Sequence, residues 1–265
     1  MESYEQGGVS PVGPAACPWL SVVIPAYNEE RRLPLTLRAL VAYLRSLGRP
    51  FEVVVADDGS DDATIEVARA AAAEVSVIGL PHRGKGAAVR AGVLASRGEL
   101  ALVMDADLST PVAELDRLVA ALEGGCAVAI GSRHAPGARV EVPQGVGRRA
   151  AGRMFNMLVR ALVLPSLHDT QCGAKLFRRE AALAVFGRCQ TDGFAFDVEA
   201  LLLAERLGYR VVEVPIAWRD APHSRVRPVT DGLRMLWEVL MIRSRTRAAA
   251  AGSEEPEPAS RPAPG

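Results

Sequence analysis

Leu100-Ala-Leu-Val-Met-Asp-Ala-Asp107 runs from five apolar residues straight into two acids spaced one residue apart. The apolar run has the length of a strand buried on both faces. Alternation along a strand turns Asp105 and Asp107 to the same side of its end. Two carboxylates converging on one point repel unless a cation sits between them. Hard divalent ions such as Mg²⁺ or Mn²⁺ take oxygen ligands of this kind and then bind phosphates. The competing duty, capping the helix expected from Pro111, falls to Ser109 or Thr110. The stretch therefore predicts a buried strand that delivers a metal-binding pair to its carboxyl end.

The same arrangement recurs on either side. Leu20-Ser-Val-Val-Ile24 is followed by Pro25-Ala-Tyr-Asn-Glu29, and the strand-like 51–56 by Asp57-Asp58-Gly-Ser60. Residues 75–78 lead, after a short gap, to His82-Arg-Gly-Lys-Gly86, and residues 127–130 to Gly131-Ser-Arg133. Between these runs the apolar positions shift to helical spacing, as in Leu33, Leu37, Leu40, Val41 and Leu44. Helices are expected over 32–47, 64–73, 87–95 and 112–122. Strands and helices in alternation predict an α/β fold, a mostly parallel central sheet with helices on both faces. Ligands in such sheets bind beyond the carboxyl ends of the strands, where all five polar clusters fall. The second half reads as more helical: helices at 146–164, 179–186, 196–208 and 229–243, with strands at 174–177 and 210–215. Residues 1–18 and 244–265 read as disordered tails. They flank one domain, 19–243, made of a first part, 19–133, that carries the five strand-end clusters and a more helical second part, 134–243.

Composition narrows the function. The chain has 265 residues with 31 basic and 31 acidic side chains. Zero net charge argues against a nucleic-acid binder. Cys17, Cys126, Cys172 and Cys189 form no C-x-x-C pair and read as reduced core residues. No signal peptide and no 18-residue apolar span is expected. Gly79-Leu-Pro-His-Arg-Gly-Lys-Gly86 approaches a P-loop but has Gly86 where Ser or Thr would hold Mg²⁺. No G-x-G-x-x-G follows the first strand. Charge is unevenly spread. Residues 51–66 hold six acids and no Lys or Arg, whereas 142–168 hold no acid and four arginines, Arg148, Arg149, Arg153 and Arg160. Only Lys85 and Lys175 are lysines.

Val22-Val-Ile-Pro-Ala-Tyr-Asn-Glu29, Val54-Val-Ala-Asp-Asp-Gly-Ser60, Arg83-Gly-Lys-Gly86 and Met104-Asp-Ala-Asp107, in that order, resemble the inverting family 2 glycosyltransferases of GT-A fold. Asp105-Ala-Asp-Leu-Ser-Thr-Pro111, Gly131-Ser-Arg133, Asp169-Thr-Gln-Cys-Gly-Ala-Lys175, Phe196-Asp-Val-Glu199 and Ser224-Arg-Val-Arg-Pro228 resemble the dolichyl-phosphate glucosyltransferase branch. Two departures are His82 before the Gly-Lys-Gly loop and Ser-Arg-Val226 for the branch's Ser-Lys-Val. A third is that no hydrophobic N-terminal anchor, such as the eukaryotic enzymes have, is expected. The resemblance implies a metal-dependent transfer of glucose from UDP-glucose to a polyprenyl phosphate, with 19–243 the catalytic domain, 19–133 its nucleotide-sugar half and 134–243 its acceptor half. Pro25, Tyr27, Glu29, Asp57, Asp58 and Lys85 would bind the donor, and Asp105 and Asp107 the metal and diphosphate. Arg133, Arg148, Arg149 and Arg225 would meet the acceptor phosphate. GDP-mannose as donor, or a hydroxyl acceptor, keeps the fold and remains open. A binder without catalysis has no need of both Asp105 and Asp107, and a nucleotidyltransferase would carry a Gly-rich loop after the first strand.

The chemistry is consistent with that resemblance. A sugar hydroxyl needs a general base, for which Asp192 and Asp197 are candidates. A lipid phosphate, with a second pKa of about 6, is already anionic and needs only positive charge, which arginine forks supply. Such an acceptor lives in a bilayer. Residues 154–164 and the stripe Val229, Leu233, Leu236, Trp237 and Leu240 are apolar and flanked by arginines. They predict peripheral contact with the cytoplasmic face of a membrane.

Overall fold

β1 (Leu20–Ala26) is buried at every position because it lies between β2 (Phe51–Asp57) and β4 (Leu100–Val103), both parallel to it. The computed structural model describes residues 17–142, 145–220 and 230–251. β3 (Val75–Gly79) extends the sheet beyond β2. On the other side β7 (Lys175–Arg178) runs antiparallel between β4 and β5 (Val128–Ser132), and β8 (Val211–Pro215) pairs parallel with β5. The order is β3-β2-β1-β4-β7-β5-β8. It reverses direction between β1 and β4, which opens the crevice where α/β sheets bind ligands.

Side chains of successive strand residues enter opposite faces, so each strand feeds two cores. Leu20, Val22, Ile24, Leu100 and Leu102 pack under α1 (Leu33–Ser46), α2 (Thr64–Arg69) and α4 (Leu115–Glu123). Val23, Val54, Ala101 and Val103 pack under α3 (Lys85–Ala95), α5 (Val146–Leu162), α6 (Arg179–Phe186), α7 (Phe196–Arg206) and α8 (Thr230–Ala251). Burial on both faces is why the strands are unbroken apolar runs.

The alternation expected for the first half is present, with several boundaries moved. α2 ends at Arg69 rather than 73, and α3 starts two residues early, at Lys85. The helix expected at 112 opens as a 3₁₀ turn, Val112–Glu114, and becomes α-helical at Leu115. Neither Ser109 nor Thr110 caps it; its N-cap is Pro111, with no side-chain hydrogen bond. A small parallel pair, β6 (Arg139–Val142) with β9 (Ala217–Arg219), was not expected. α8 continues to Ala251, so residues 244–251 of the expected tail are helical. Its last turns are alanines, which favour helix, and the Thr246 hydroxyl donates back to the Ile242 carbonyl at 2.6 Å. Cys126, Cys172 and Cys189 are buried thiols as expected, whereas Cys17 is exposed.

α3 lies close on the sheet because Gly92 has no side chain where it crosses Val23; a Cβ there would overlap the valine methyl. Gly92→Val is therefore expected to cost about 1–3 kcal/mol by overpacking. The cost is read as a lower urea midpoint at unchanged slope. An unchanged midpoint would contradict this contact.

Candidate active site

Five loops converge at the carboxyl ends of β1–β5. The loop after β1 turns at Asn28, whose φ of +53° lies in the left-handed region that asparagine tolerates. It is tied to the next loop by Asn28 N–H donating to Ser60 Oγ at 2.8 Å and Glu29 N–H to Thr64 Oγ1 at 2.7 Å. Tyr27 stacks on His82, ring centroids 4.3 Å apart and 24° from parallel. Pro25 is buried inside β1, paired with Ala56, so Tyr27 and Glu29 are the residues of that run that reach the loop.

Asp57 and Asp58 organise backbone, a duty the sequence did not assign to them. The Asp57 carboxylate accepts the N–H groups of Gly59 (3.1 Å) and Ser60 (2.9 Å). That of Asp58 accepts those of Arg83 and Gly84, each at 2.9 Å, and faces His82 Nδ1 at 2.9 Å. Asp58 thereby fixes the loop that leads into α3. Gly84, with φ +131°, turns the chain, and its neighbour Lys85 becomes the first helical residue. Gly86 N–H donates to the Asp192 carbonyl at 2.8 Å. The amides of this helix start are thus taken by protein, in keeping with the rejected P-loop reading.

Lys85 Nζ reaches Asp105 Oδ1 at 2.6 Å. Burial opposes the Lys85 ammonium, but the charges of Asp105 and Asp197 outweigh it and hold its pKa above the usual lysine range. Burial likewise opposes the Asp105 carboxylate, and Lys85 overrides it, so its pKa sits below the usual range. Asp105 also presses on Gly173, where any Cβ would strike its carboxylate. Asp107 spends one oxygen on the Ser109 N–H at 2.9 Å. The turn between them is strained, with Leu108 at φ +56°, and is anchored by the Thr36 hydroxyl donating to the Ala106 carbonyl at 2.6 Å. Arg32, paired with Glu29 through Nε at 2.7 Å, feels both acids, and its Nη1 is buried without a hydrogen-bond partner.

Behind this centre lie two buried ion pairs. Asp169, fully buried, accepts Arg133 Nε at 2.8 Å and Nη2 at 2.7 Å, as well as the Arg133 N–H at 2.8 Å. Lys175, 2% exposed, meets Asp197 Oδ1 at 2.6 Å and donates to the Cys172 carbonyl at 2.6 Å. The segment from Asp169 to Lys175 therefore supplies three parts: a clamp for Arg133, a glycine beside Asp105, and a second ammonium. None of these roles, nor that of Arg32, was assigned from sequence. The signal available was that Lys175 is one of two lysines among 31 basic residues.

Tyr27, Glu29, Asp58, Asp105, Asp107 and Arg133 on loops, Asp57 at the end of β2 and Lys85 at the start of α3 thus lie at one end of the sheet. Arg149 is exposed on the first turn of α5. The Arg148 side chain and all of Arg225 lie outside the described residues. The expected peptide 224–228 lies outside them too. Among the described residues no group of three or more His, Cys, Asp and Glu could hold a metal. The acids expected to take a metal are, among the described residues, the pair Asp105 and Asp107. That set suits Mg²⁺ or Mn²⁺, which keep waters and use one or two carboxylates with substrate phosphates.

Comparison with known proteins decides the family. The family model for Glycosyl transferase family 2 matches residues 21–186. The chain belongs to this family. The glycosyltransferase is 39% identical over 240 residues to the dolichyl-phosphate beta-glucosyltransferase of Drosophila melanogaster, covering 84% of this chain and 74% of that one. It is 34% identical over 247 residues to the Saccharomyces cerevisiae protein of the same name, covering 85% and 74%. Its fold matches that of glucosyl-3-phosphoglycerate synthase from Mycobacterium tuberculosis in complex with Mn²⁺ and UDP-glucose. The TM-score is 0.63 at 21% identity, over 86% of this chain and 78% of that one. The α/β architecture expected from the motifs is the one observed.

Burial opposes ionisation of Asp169, and Arg133 reverses this, holding its pKa below the usual carboxylate range. The pair therefore stabilises the fold above the ordinary carboxylate pKa, and that contribution is lost as pH falls through the lower folded value. Asp169→Ala leaves a buried guanidinium uncompensated and is expected to cost about 3–5 kcal/mol at neutral pH, measured by denaturant unfolding. A loss below about 1 kcal/mol, typical of a surface pair, would contradict the burial of this charge.

Proposed function

We propose that the protein transfers glucose from UDP-glucose to a polyprenyl phosphate, with Mg²⁺ or Mn²⁺ held by Asp105 and Asp107. The observation that carries this reading is the Lys85–Asp105 contact beside Asp107 at the switch point of the sheet. It gathers fixed positive charge and metal-ligating oxygens where a departing diphosphate would need both. The metal, when bound, supplies Lewis-acid neutralisation of the leaving diphosphate.

The chain's own groups do the remainder. The Tyr27–His82 stack offers a flat platform for a base, and Asp57 and Asp58 hold its surrounding loops. Lys85 faces the diphosphate. Arg133, two of whose guanidinium nitrogens are taken by Asp169, presents fixed positive charge to the acceptor phosphate, with Arg149 and the unplaced Arg148 and Arg225 as further candidates. An anionic acceptor needs no base. Asp192, shared between Arg83 at 2.7 Å and Arg90 at 2.9 Å, is poorly suited to be one. Asp197, the other candidate under a hydroxyl acceptor, is buried and paired with Lys175 at 2.6 Å, and burial pushes its carboxyl above the usual range. GDP-mannose remains the rival donor.

The relatives' names support the glucosyl and dolichyl-phosphate assignment. The helices support access to a lipid. Met154, Met157 and Leu158 of α5 and Trp237, Leu240 and Met241 of α8 are exposed, and Arg149, Arg153, Arg160 and Arg234 are exposed on the same two helices. No helix among the described residues is long and apolar enough to cross a membrane. The contact we propose from these exposed residues is peripheral, on the cytoplasmic face.

Asp105→Asn and Asp107→Asn should each lower glucose transfer by about 100-fold or more, because several kcal/mol of charge stabilisation are removed. EDTA should reproduce the loss and Mg²⁺ or Mn²⁺ should restore it. Full turnover in EDTA would rule out the metal. In flotation with anionic liposomes the wild type should rise with the vesicles at low salt and less at high salt, and Trp237→Glu should stay lower. Wild-type protein that stays at the bottom at every salt concentration would rule out the lipid-facing role of α8.

A further inference from the structure

α8 carries two side chains directed at one short loop, residues 190–195. Glu238 Oε2 accepts the Ala195 N–H at 3.2 Å, and its carboxylate fills the space where Gly193 has no Cβ. Arg245, two helical turns on, donates to Gln190 Oε1 at 3.1 Å and Thr191 Oγ1 at 3.3 Å. The spacing of seven residues puts both on one face of the helix. The loop is held from below as well, since Glu199 Oε2 accepts the Gln190 and Thr191 N–H groups at 2.9 and 2.6 Å.

The other side of the same loop touches the start of α3. The Asp192 carbonyl accepts Gly86 N–H at 2.8 Å and Ala87 N–H at 3.3 Å, and the Asp192 carboxylate binds Arg83 and Arg90. Gly84 and Gly86 lie so close to the 191–193 backbone that neither has room for a Cβ. Lys85 sits between them, and its ammonium contacts Asp105. One unbroken series of contacts therefore runs from α8 through residues 190–195 to the lysine at the diphosphate position.

We propose that Glu238 and Arg245 are positioning residues for Lys85: α8 clamps the 190–195 loop, and the loop seats the start of α3 so that the Lys85 ammonium is held at the donor site. The consequence for donor binding rests on the function proposed above. The clamp itself is a property of the fold. The inner face of α8 holds the loop while Trp237 and Leu240 are exposed away from it, so whatever engages those residues acts on the helix that seats Lys85.

Hydrogen exchange tests the clamp without any ligand, and titration of UDP-glucose with Mn²⁺ tests its effect on the donor. In Glu238→Ala, exchange at the Gly86 and Ala87 amides should rise by roughly tenfold, as loss of a hydrogen bond to a charged group implies. Amides of β1 and β2 should be unchanged. UDP-glucose affinity should fall by a similar factor, and saturating donor should restore most of kcat. Glu238→Gln retains an oxygen for the Ala195 N–H and should recover both. Unchanged exchange at Gly86 and Ala87, or a uniform rise across the sheet, would overturn the clamp. So would equal donor affinity in wild type and Glu238→Ala. If the wild type binds no UDP-glucose, the donor assignment fails and the exchange result alone decides the clamp.

Discussion

The contact between Lys85 Nζ and Asp105 Oδ1, 2.6 Å long, is the interaction on which the rest of the site depends. A carboxylate and an ammonium partly removed from water, as these are, are stabilised by being paired and held in place. Each holds its place through structure far away in sequence. Asp105 is fixed by β4, by the Thr36 hydroxyl on the neighbouring turn, and by the missing side chain of Gly173. Lys85 is fixed by Asp58 through the preceding amides and by the Asp192 carbonyl through the following ones. The two lysines of the chain both serve this centre, Lys85 on Asp105 and Lys175 on Asp197. A compact ammonium presents a point charge where a guanidinium fork would need a wider slot.

Charge alternates through the crevice, from Arg133 and Asp169 to Asp105 and Lys85 and then Asp197 and Lys175. Pairing holds the Asp105 and Asp169 carboxyls below their usual range, and charges fixed in this way leave little reorganisation for the arrival of the proposed anionic donor and acceptor. The cost is desolvation, offset by the bidentate geometry of Arg133 on Asp169. Both halves of the chain therefore contribute side chains and backbone to this one cluster. The first half supplies Lys85, Asp105 and Asp107, and the second supplies Asp169, Gly173, Lys175 and the 190–195 loop.

Much of the fold was legible because β1, β2, β4 and β5 are buried and run into polar residues at or just beyond their carboxyl ends. The β1–β5 runs could hardly be anything else once their spacing was read. β7 could be located but not oriented: four residues cannot say that they run antiparallel between β4 and β5. The α8 extension was missed because an alanine run beside a Pro-rich end reads as tail. In the site, Asp105, Asp107 and Lys85 were legible from their places at strand and helix ends. The duties of Asp57 and Asp58 were not, because their partners are backbone amides, in the case of Asp58 on a loop 25 residues or more away. Nor was the Arg133–Asp169 pair, which spans 36 residues and depends on β5 and the segment before β7 meeting.

Whether the acceptor is a phosphate is the question that most directly tests the proposed chemistry. Purified protein would be incubated with radiolabelled UDP-glucose and Mg²⁺, in parallel with polyprenyl phosphate and with the corresponding unphosphorylated polyprenol, and extracted into organic solvent. Label is predicted in the organic phase with polyprenyl phosphate and not with polyprenol. Equal labelling of the alcohol, or labelling of the lipid phosphate from GDP-mannose but not from UDP-glucose, would contradict it.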